Sequence, residues 1–282
     1  AIINPWKLVN YLSQDIKSYG GTILTNHQVK YINLNKSIYK IGLQYGNKLK
    51  EIECDAIINA AGPWSARIAK MLDLNVNLQL TKGSIMVFSH RLVSKAINRC
   101  RIPSSNDIMC PSGTVSLWGT TSRIIDDPNI TYVDPEEIQN LLDGAEKLFP
   151  NIRNYRAFRA WAGVRPLVFP EIYNKDIPLP RSHAVIDHKD KGHDKFLTIC
   201  GGSLTTHRSM AEDVVNKLGN KFKINEPCST AHTNLKIKNE NNWKPSSYFL
   251  EVEQNKNFNE LICECESITK SEIYNLITII II

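Results

Sequence analysis

Arg165 is a candidate anion-binding residue. It lies in the segment Ala162–Leu167, with a glycine two residues before it and a proline directly after it, so its backbone has little freedom. A guanidinium group is a planar fork that suits a phosphate or a carboxylate. The alternative interpretation is a structural arginine paired with an acidic side chain.

A pair of glycines, Gly201 and Gly202, separates a predicted strand from a predicted helix. The first amides of a helix have no partner within it, and the helix dipole favours negative charge there. We therefore expect the amides of Leu204, Thr205 and Thr206 to face an anion, such as the pyrimidine ring of a reduced flavin. An ordinary strand–turn–helix junction would have the same pattern.

The segment Ala56–Gly62 is apolar and ends in small residues. This pattern predicts a parallel strand that is buried on both faces. Nucleotides bind at the carboxyl ends of such strands, and small residues let a ligand approach the backbone. Many buried strands that end in glycine simply turn there.

Cys263 and Cys265 are a candidate pair of metal ligands. Thiolates one residue apart are too close for most zinc knuckles but suit one iron of an iron–sulfur cluster. A cluster needs four ligands and no cysteine follows Cys265, so the site is incomplete; two inert thiols are the alternative. The other five cysteines are scattered, which favours a reducing compartment.

The composition is that of an ordinary globular protein. The chain has 282 residues, 42% hydrophobic and 22% charged, which suits one large or two moderate domains and excludes a disordered chain. The net charge of +6 favours anionic partners, but no Lys/Arg run is dense enough for nucleic acid. There is no signal-peptide pattern, and the longest apolar run is too short to span a bilayer, so any membrane contact is predicted to be peripheral.

Alternating helices and strands must position these residues. Asn4-Pro5 predicts a helix start by capping and by proline at the first position. Apolar periodicity and turn residues place the other elements. The predicted strands are 22–25, 39–45, 49–52, 56–61, 79–89, 114–121, 158–168, 184–187 and 196–200, and the predicted helices are 5–19, 63–72, 135–149 and 205–218.

In order and spacing, the motifs resemble the catalytic subunits of anaerobic, quinone-linked glycerol-3-phosphate dehydrogenases. These enzymes belong to the wider D-amino-acid-oxidase-like flavoprotein group. The resemblance runs almost end to end. It rests on Asn4-Pro5, Asn59-Ala60-Ala61-Gly62 with Trp64, Lys82-Gly83-Ser84, residues 97–101, 119–122 and 163–167, Gly201-Gly202 with Leu204, Thr206 and Arg208, and residues 263–266.

The resemblance implies an α+β fold with two domains. Residues 1–78 and 161–220 would be the remainder of an α/β FAD-binding domain, and residues 79–160 an antiparallel-sheet substrate domain. Residues 221–260 would be a linker, and residues 261–282 the start of a truncated [2Fe-2S] domain. The implied reaction moves a hydride from sn-glycerol 3-phosphate to FAD. Electrons would then reach quinone through electron-transfer and membrane-anchor subunits, with the protein peripheral at the cytoplasmic face of the inner membrane.

The resemblance also assigns residues. Arg165 would grip the substrate phosphate. The resemblance does not identify the proton acceptor; the sequence itself offers His207 as a candidate, with a structural histidine as the alternative. Ser203 stands where the family has a lysine near flavin and substrate. Cys263 and Cys265 would be cluster ligands. The cofactor-lining residues would be Asn59, Ala60, Ala61 and Gly62, together with Gly201, Gly202, Leu204 and Thr205 at the flavin ring.

Three departures from the family are visible. Ser203 cannot supply the positive charge of the lysine. The Gly-rich βαβ unit that cradles the FAD pyrophosphate is missing, since no Gly-x-Gly-x-x-Gly occurs, and so is the second cysteine pair. Two other interpretations therefore stay open: a sibling FAD oxidase of an amino acid or 2-hydroxy acid, in which Arg165 grips a carboxylate, and an inactive fragment.

Overall fold

The computed structural model describes residues 2–101, 105–169, 179–235, 254 and 260–280. The predicted linker 221–260 therefore lies largely outside the described residues. The chain divides into two compact units, Ala1–Leu80 with Arg165–Asn239 and Thr81–Val164 with Glu240–Ile282. The functions that the resemblance assigns to separate segments stay a prediction.

The elements are numbered in chain order. The helices are α1 (Pro5–Ser18), α2 (Ser65–Lys70), α3 (Pro135–Glu146), α4 (His207–Lys221) and α5 (Lys270–Ile280). The strands are β1 (Gln28–Asn35), β2 (Ile38–Tyr45), β3 (Lys48–Cys54), β4 (Ile57–Asn59), β5 (Leu78–Phe88), β6 (Ile97–Asn98), β7 (Ile108–Ser112), β8 (Val115–Gly119), β9 (Arg123–Ile125), β10 (Ala157–Val168), β11 (His183–Asp187), β12 (Phe196–Gly201), β13 (Leu261–Cys263) and β14 (Ile268–Thr269).

Helix α1 begins as its sequence predicts. The side chain of Asn4 accepts a hydrogen bond from the amide of Lys7 at 3.1 Å, and Pro5 occupies the first helical position. Gly20, with φ of +82°, follows its last turn. The amino-terminal helix is therefore fixed by local signals.

An antiparallel sheet of β1, β2 and β3 follows in the first unit. The strand predicted at residues 22–25 is wrong, because these residues form no strand and pairing begins only at Gln28. Asn26 is left-handed, with φ of +59°, and breaks the extended backbone before β1.

The second sheet of the first unit has the order β11-β12-β4. Strand β4 pairs parallel to β12, as expected for the apolar segment, whereas β11 pairs antiparallel to β12. The expectation of burial on both faces is wrong, since Ile58 is 36% exposed. The core of this unit includes Ile32, Tyr39, Ala69 and Phe196.

The second unit is built on a sheet with the order β10-β5-β8-β7-β6, with β9 also paired to β5. Helix α3 packs against this sheet, and the indole of Trp118 donates a 2.8 Å hydrogen bond to the carbonyl of Leu141. Met86, Phe88 and Met109 fill the core around them.

A buried ionic cluster fixes the start of α3. Lys82 is 1% exposed, and its ammonium lies 2.9 Å from Asp134 and 2.7 Å from Glu137. Ser84 and Thr121 donate hydrogen bonds to the same Glu137 carboxylate. Burial alone would raise the pKa of Glu137, but these partners lower it to about 2.

The carboxyl-terminal hairpin of β13 and β14 contacts the rest of the second unit. The hydroxyl of Thr114 donates to the carbonyl of Ser267 at 2.6 Å, and Arg156 lies 2.9 Å from Glu264. Within the described ranges, no helix is long and apolar enough to cross a membrane.

Candidate flavin and substrate site

Parallel pairing brings two predicted cofactor segments to one sheet edge. In β4 and β12, Asn59 lies opposite Thr198. Both strands therefore end at the same edge, which in open α/β sheets is where ligands bind. Ala60, Ala61 and Gly62 follow β4, and Gly201 closes β12 with Gly202 next.

The two glycines of the bend cannot be replaced without a clash. Gly201 and Gly202 are left-handed, with φ of +76° and +69°. A Cβ atom on Gly201 would overlap the carbonyl oxygen of Ser182 and lie 3.0 Å from a methyl of Val168. On Gly202 it would overlap the sulfur of Met210. The bend is therefore packed against its own unit.

The helix after the bend begins differently from the prediction. Residues Leu204–Thr206 form a 3-10 turn, and α4 starts at His207. The amide of Thr206 donates to the carbonyl of Ser203 at 3.0 Å, so it does not face an anion as expected. The Thr206 hydroxyl accepts from the Ser203 amide at 3.2 Å, which closes a capping box.

The residues just before α4 are exposed and uncharged. Ser203, Leu204 and Thr205 are exposed, and the hydroxyls of Ser203 and Thr205 lie 2.7 Å apart. No positive side chain occupies position 203, where the family resemblance implies a lysine. The bend thus offers neutral donors to a ligand.

His207 is bonded to its own helix start. Its Nδ1 lies 2.7 Å from the carbonyl oxygen of Leu204, so this nitrogen carries the proton and donates. In the neutral ring the other nitrogen, Nε2, is then the proton acceptor. His207 thus keeps one basic atom for chemistry.

The buried side chain of Asn59 stabilises the turn that follows β4. It is 3% exposed, and its amide group donates to the carbonyl of Ser65 at 2.9 Å and to the hydroxyl of Thr198 at 3.2 Å. Its side-chain oxygen accepts from the amide of Ala61 at 3.4 Å. The side chain therefore orients the turn after β4, while Ala60 is exposed at the edge itself.

Arg165 has a cationic neighbour that sequence reasoning missed. It is half-buried near the end of β10, and burial and the charge of Arg181 hold the pKa of its guanidinium below the ordinary value. Arg181 is exposed and lies two residues before β11. Arg181 is therefore a second basic residue whose charge acts on Arg165.

The bend contacts residues near each of the two arginines in sequence. The amide of Gly202 donates to the carbonyl of Ser182 at 3.1 Å, directly after Arg181 in the chain. Gly201 packs against Val168, three residues beyond Arg165. The bend therefore lies next to the segment that carries Arg181 and next to the end of β10. A hairpin between the predicted strands 184–187 and 196–200 was the signal that could have placed Arg181 there.

The cysteine pair lies in the second unit. Cys263 ends β13 and is half-buried, and Cys265 is exposed in the turn that follows. Across the part of the chain that the structure describes, no group of three or more His, Cys, Asp or Glu side chains is placed to hold a metal ion. The role of Cys263 and Cys265 as cluster ligands stays a prediction.

The residues at the sheet edge fit a flavin. Gly62 is left-handed, with φ of +55°, and nothing lies within 4 Å of the position its Cβ would take, so its backbone borders open space. Ala60 and the neutral groups of Ser203 and Thr205 lie at or near the same edge. This chain supplies no Gly-x-Gly-x-x-Gly for the pyrophosphate.

The chain is similar in sequence to curated proteins that share one name. The chain is 32% identical over 302 residues to one of the subunits of the anaerobic glycerol-3-phosphate dehydrogenase of Escherichia coli, covering 96% of this chain and 55% of that protein. The protein of the same name from Haemophilus influenzae is also 32% identical, over 96% of this chain and 53% of its own length. The chain thus spans about half the length of these curated relatives.

Solved structures share the fold. Glycine oxidase from Geobacillus kaustophilus superposes with a TM-score of 0.56 at 18% identity, over 79% of this chain and 55% of that one. FAD-bound L-alpha-glycerophosphate oxidase from Mycoplasma pneumoniae gives 0.55 at 17% identity, over 74% and 54%. These likenesses confirm the predicted α+β, D-amino-acid-oxidase-like fold. Residues 1–208 match the model of the family described as DAO, FAD dependent oxidoreductase, and the chain belongs to that family.

Proposed function

We propose that this chain oxidises sn-glycerol 3-phosphate to dihydroxyacetone phosphate with FAD as the hydride acceptor. The observation that carries the proposal is the hydrogen bond from Gly202 to Ser182, which joins the bend to the segment of Arg181, together with the effect of the Arg181 charge on Arg165. The names of the relatives support it, because they describe glycerol-3-phosphate dehydrogenases and a glycerophosphate oxidase.

Charge favours a phosphate over a carboxylate as the group that is gripped. A phosphate monoester carries up to two negative charges near neutral pH, whereas a carboxylate carries one. A guanidinium group donates forked hydrogen bonds to either anion, but a dianion would offset the charges of both Arg165 and Arg181, whereas a carboxylate would offset one. This charge match is the reason to prefer glycerol 3-phosphate to an amino acid or 2-hydroxy acid.

Oxidation of the secondary alcohol removes a hydride from carbon and a proton from oxygen. Bound FAD supplies the two-electron acceptor for the hydride. The bend at Gly201–Gly202 would border the flavin ring, and the neutral donors of Leu204 and Thr205 would stabilise charge on it. We assign the proton to Nε2 of His207, because its Nδ1 is held by the Leu204 carbonyl.

The wider setting is part of the same proposal. Electrons would pass to quinone through electron-transfer and membrane-anchor subunits at the cytoplasmic face of the inner membrane, during glycerol catabolism. The relatives are named as single subunits of a larger enzyme, which supports partner subunits here. In the complete protein, Cys263 and Cys265 would supply two ligands of a [2Fe-2S] cluster.

We also propose that different segments of the chain have different functions. Residues 1–78 and 161–220 would hold FAD, and residues 79–160 would cover the substrate. Residues 221–260 would link these to the cluster-binding segment 261–282. No nucleic-acid partner is expected.

The test is flavin bleaching under anaerobic conditions. The chain is mixed with FAD, and the visible flavin absorbance is followed after addition of glycerol 3-phosphate, glycerol or 2-hydroxyglutarate. Bleaching by glycerol 3-phosphate alone is the expected result. Bleaching by 2-hydroxyglutarate but not glycerol 3-phosphate would assign a carboxylate substrate, and no uptake of FAD would support an inactive fragment.

A further inference from the structure

A ladder of polar contacts ties strand β11 to helix α4. Contacting residues are spaced by two along the strand and by four along the helix. Two strand residues rise about 6.6 Å and four helical residues about 6 Å, so the two spacings stay in register. The contacts join His183 to Asp213, Val185 to Lys217, and Asp187 to Lys221.

The first rung of the ladder stands at the glycine bend. His183 lies opposite Gly201 in the β11–β12 pairing, and its Nε2 is 2.6 Å from the Asp213 carboxylate. The side chains are 22% and 55% exposed, so the pair is reachable from solvent but partly covered on the histidine side. A hydrogen bond to an ionised carboxylate is charge-assisted and stronger than one between neutral groups.

This rung spans the backbone of Gly202. A Cβ atom on Gly202 would lie 3.2 Å from the Cβ of His183 on the strand side and would overlap the sulfur of Met210 on the helix side. Asp213 follows Met210 by three residues and therefore shares its face of α4. The backbone of Gly202 therefore lies between strand β11 and helix α4, the two elements that the hydrogen bond from His183 to Asp213 joins.

We propose that His183 and Asp213 are a positioning pair that holds the Gly201–Gly202 bend in the conformation that meets the flavin ring. This inference rests on the proposed function, because the flavin gives the bend its role. The last rung provides the contrast. Lys221 and Asp187 tie the same two elements at 2.7 Å, but at the end away from the bend.

The experiment compares His183→Leu with Lys221→Met in the full chain. FAD is titrated into each protein, and both the dissociation constant and the shape of the visible flavin band are measured. We expect His183→Leu to weaken FAD binding about tenfold, the scale of one charge-assisted hydrogen bond, and to alter the band. His183→Gln keeps a donor for Asp213 and is expected to recover most of the affinity. Lys221→Met is expected to keep wild-type affinity and band shape.

Hydrogen exchange of the Gly202 amide provides a readout without flavin. Faster exchange in His183→Leu, with wild-type exchange in Lys221→Met, is expected. Wild-type FAD binding by His183→Leu, or equal losses in both variants, would overturn the positioning role. If the wild-type chain takes up no FAD, the proposed function fails by itself. In that case hydrogen exchange alone tests the positioning role of His183 and Asp213. An unchanged exchange rate of the Gly202 amide in His183→Leu would overturn that role.

Discussion

The amide of Gly202 donates a 3.1 Å hydrogen bond to the carbonyl oxygen of Ser182. This bond places the bend after β12 directly beside the segment that carries Arg181. Burial and the charge of Arg181 together lower the pKa of the Arg165 guanidinium. The hydrogen bond therefore joins the bend to a segment that carries a basic residue.

Substitution of Arg165 tests the phosphate grip. In a preparation that turns over glycerol 3-phosphate, Arg165→Ala is expected to raise KM roughly 10- to 100-fold, because a hydrogen-bonded charge contact contributes about 1.5–3 kcal/mol. Arg181→Ala should raise KM in the same direction. Arg165→Lys is the control that keeps charge but loses the fork. An unchanged KM in both alanine variants would refute the assignment.

Substitution of Ser203 tests the missing positive charge. Ser203→Lys is expected to raise turnover, since a cation at the bend would stabilise negative charge on flavin and substrate. The substitution keeps the Ser203 amide that bonds to Thr206 but removes the Ser203 hydroxyl from the helix start, which is expected to lower stability by about 0.5–2 kcal/mol. Ser203→Met matches the length without the charge and should give no gain. Equal rates for the lysine and methionine variants would place the flavin elsewhere.

The three glycines at the sheet edge should respond differently to alanine. Gly62→Ala meets open space, so only its left-handed backbone costs stability, roughly 1–2 kcal/mol. Gly201→Ala adds an overlap with the backbone of Ser182 and is expected to cost more. Gly202→Ala overlaps the flexible end of Met210, which can shift, so its cost should lie between them. The free energy of unfolding of each variant, measured in urea, gives the order of the three costs. The reverse order would contradict this packing.

The carboxylate of Glu137 should make stability depend on pH. Its folded pKa is about 2, below the ordinary value of 4.5. Because the folded pKa is depressed, this stabilisation is complete above about pH 4.5 and is lost as pH falls towards 2. Glu137→Gln should be less stable at neutral pH and flatten the decline in the free energy of unfolding. Glu146→Gln, at a half-exposed acid on the same helix that pairs with Arg153, should leave the decline intact.

Local signals predicted some elements and missed others. Asn4-Pro5 and Gly20 set the ends of α1 within one stretch of chain, so that helix was predictable. The segment 22–25 has β-forming residues, but a strand needs a partner, and β2 pairs with Gln28–Asn35 instead. Strand identity therefore depended on contacts that local propensity does not contain.

The site shows the same division. The bend at Gly201–Gly202 and the arginine at 165 were visible as types and spacing. Arg181 was not, because its proximity to Arg165 arises from the folded arrangement and it carries no motif of its own. The inward direction of Asn59 and the bonded amide of Thr206 likewise depend on hydrogen-bond partners that only the folded chain supplies.

A crystal structure of the protein with sn-glycerol 3-phosphate tests the central claim most directly. The phosphate is expected within hydrogen-bond distance of the guanidinium groups of both Arg165 and Arg181, with the carbon backbone of the ligand directed towards Gly201–Gly202. A phosphate bound away from both arginines, with the bend empty of ligand, would contradict the account.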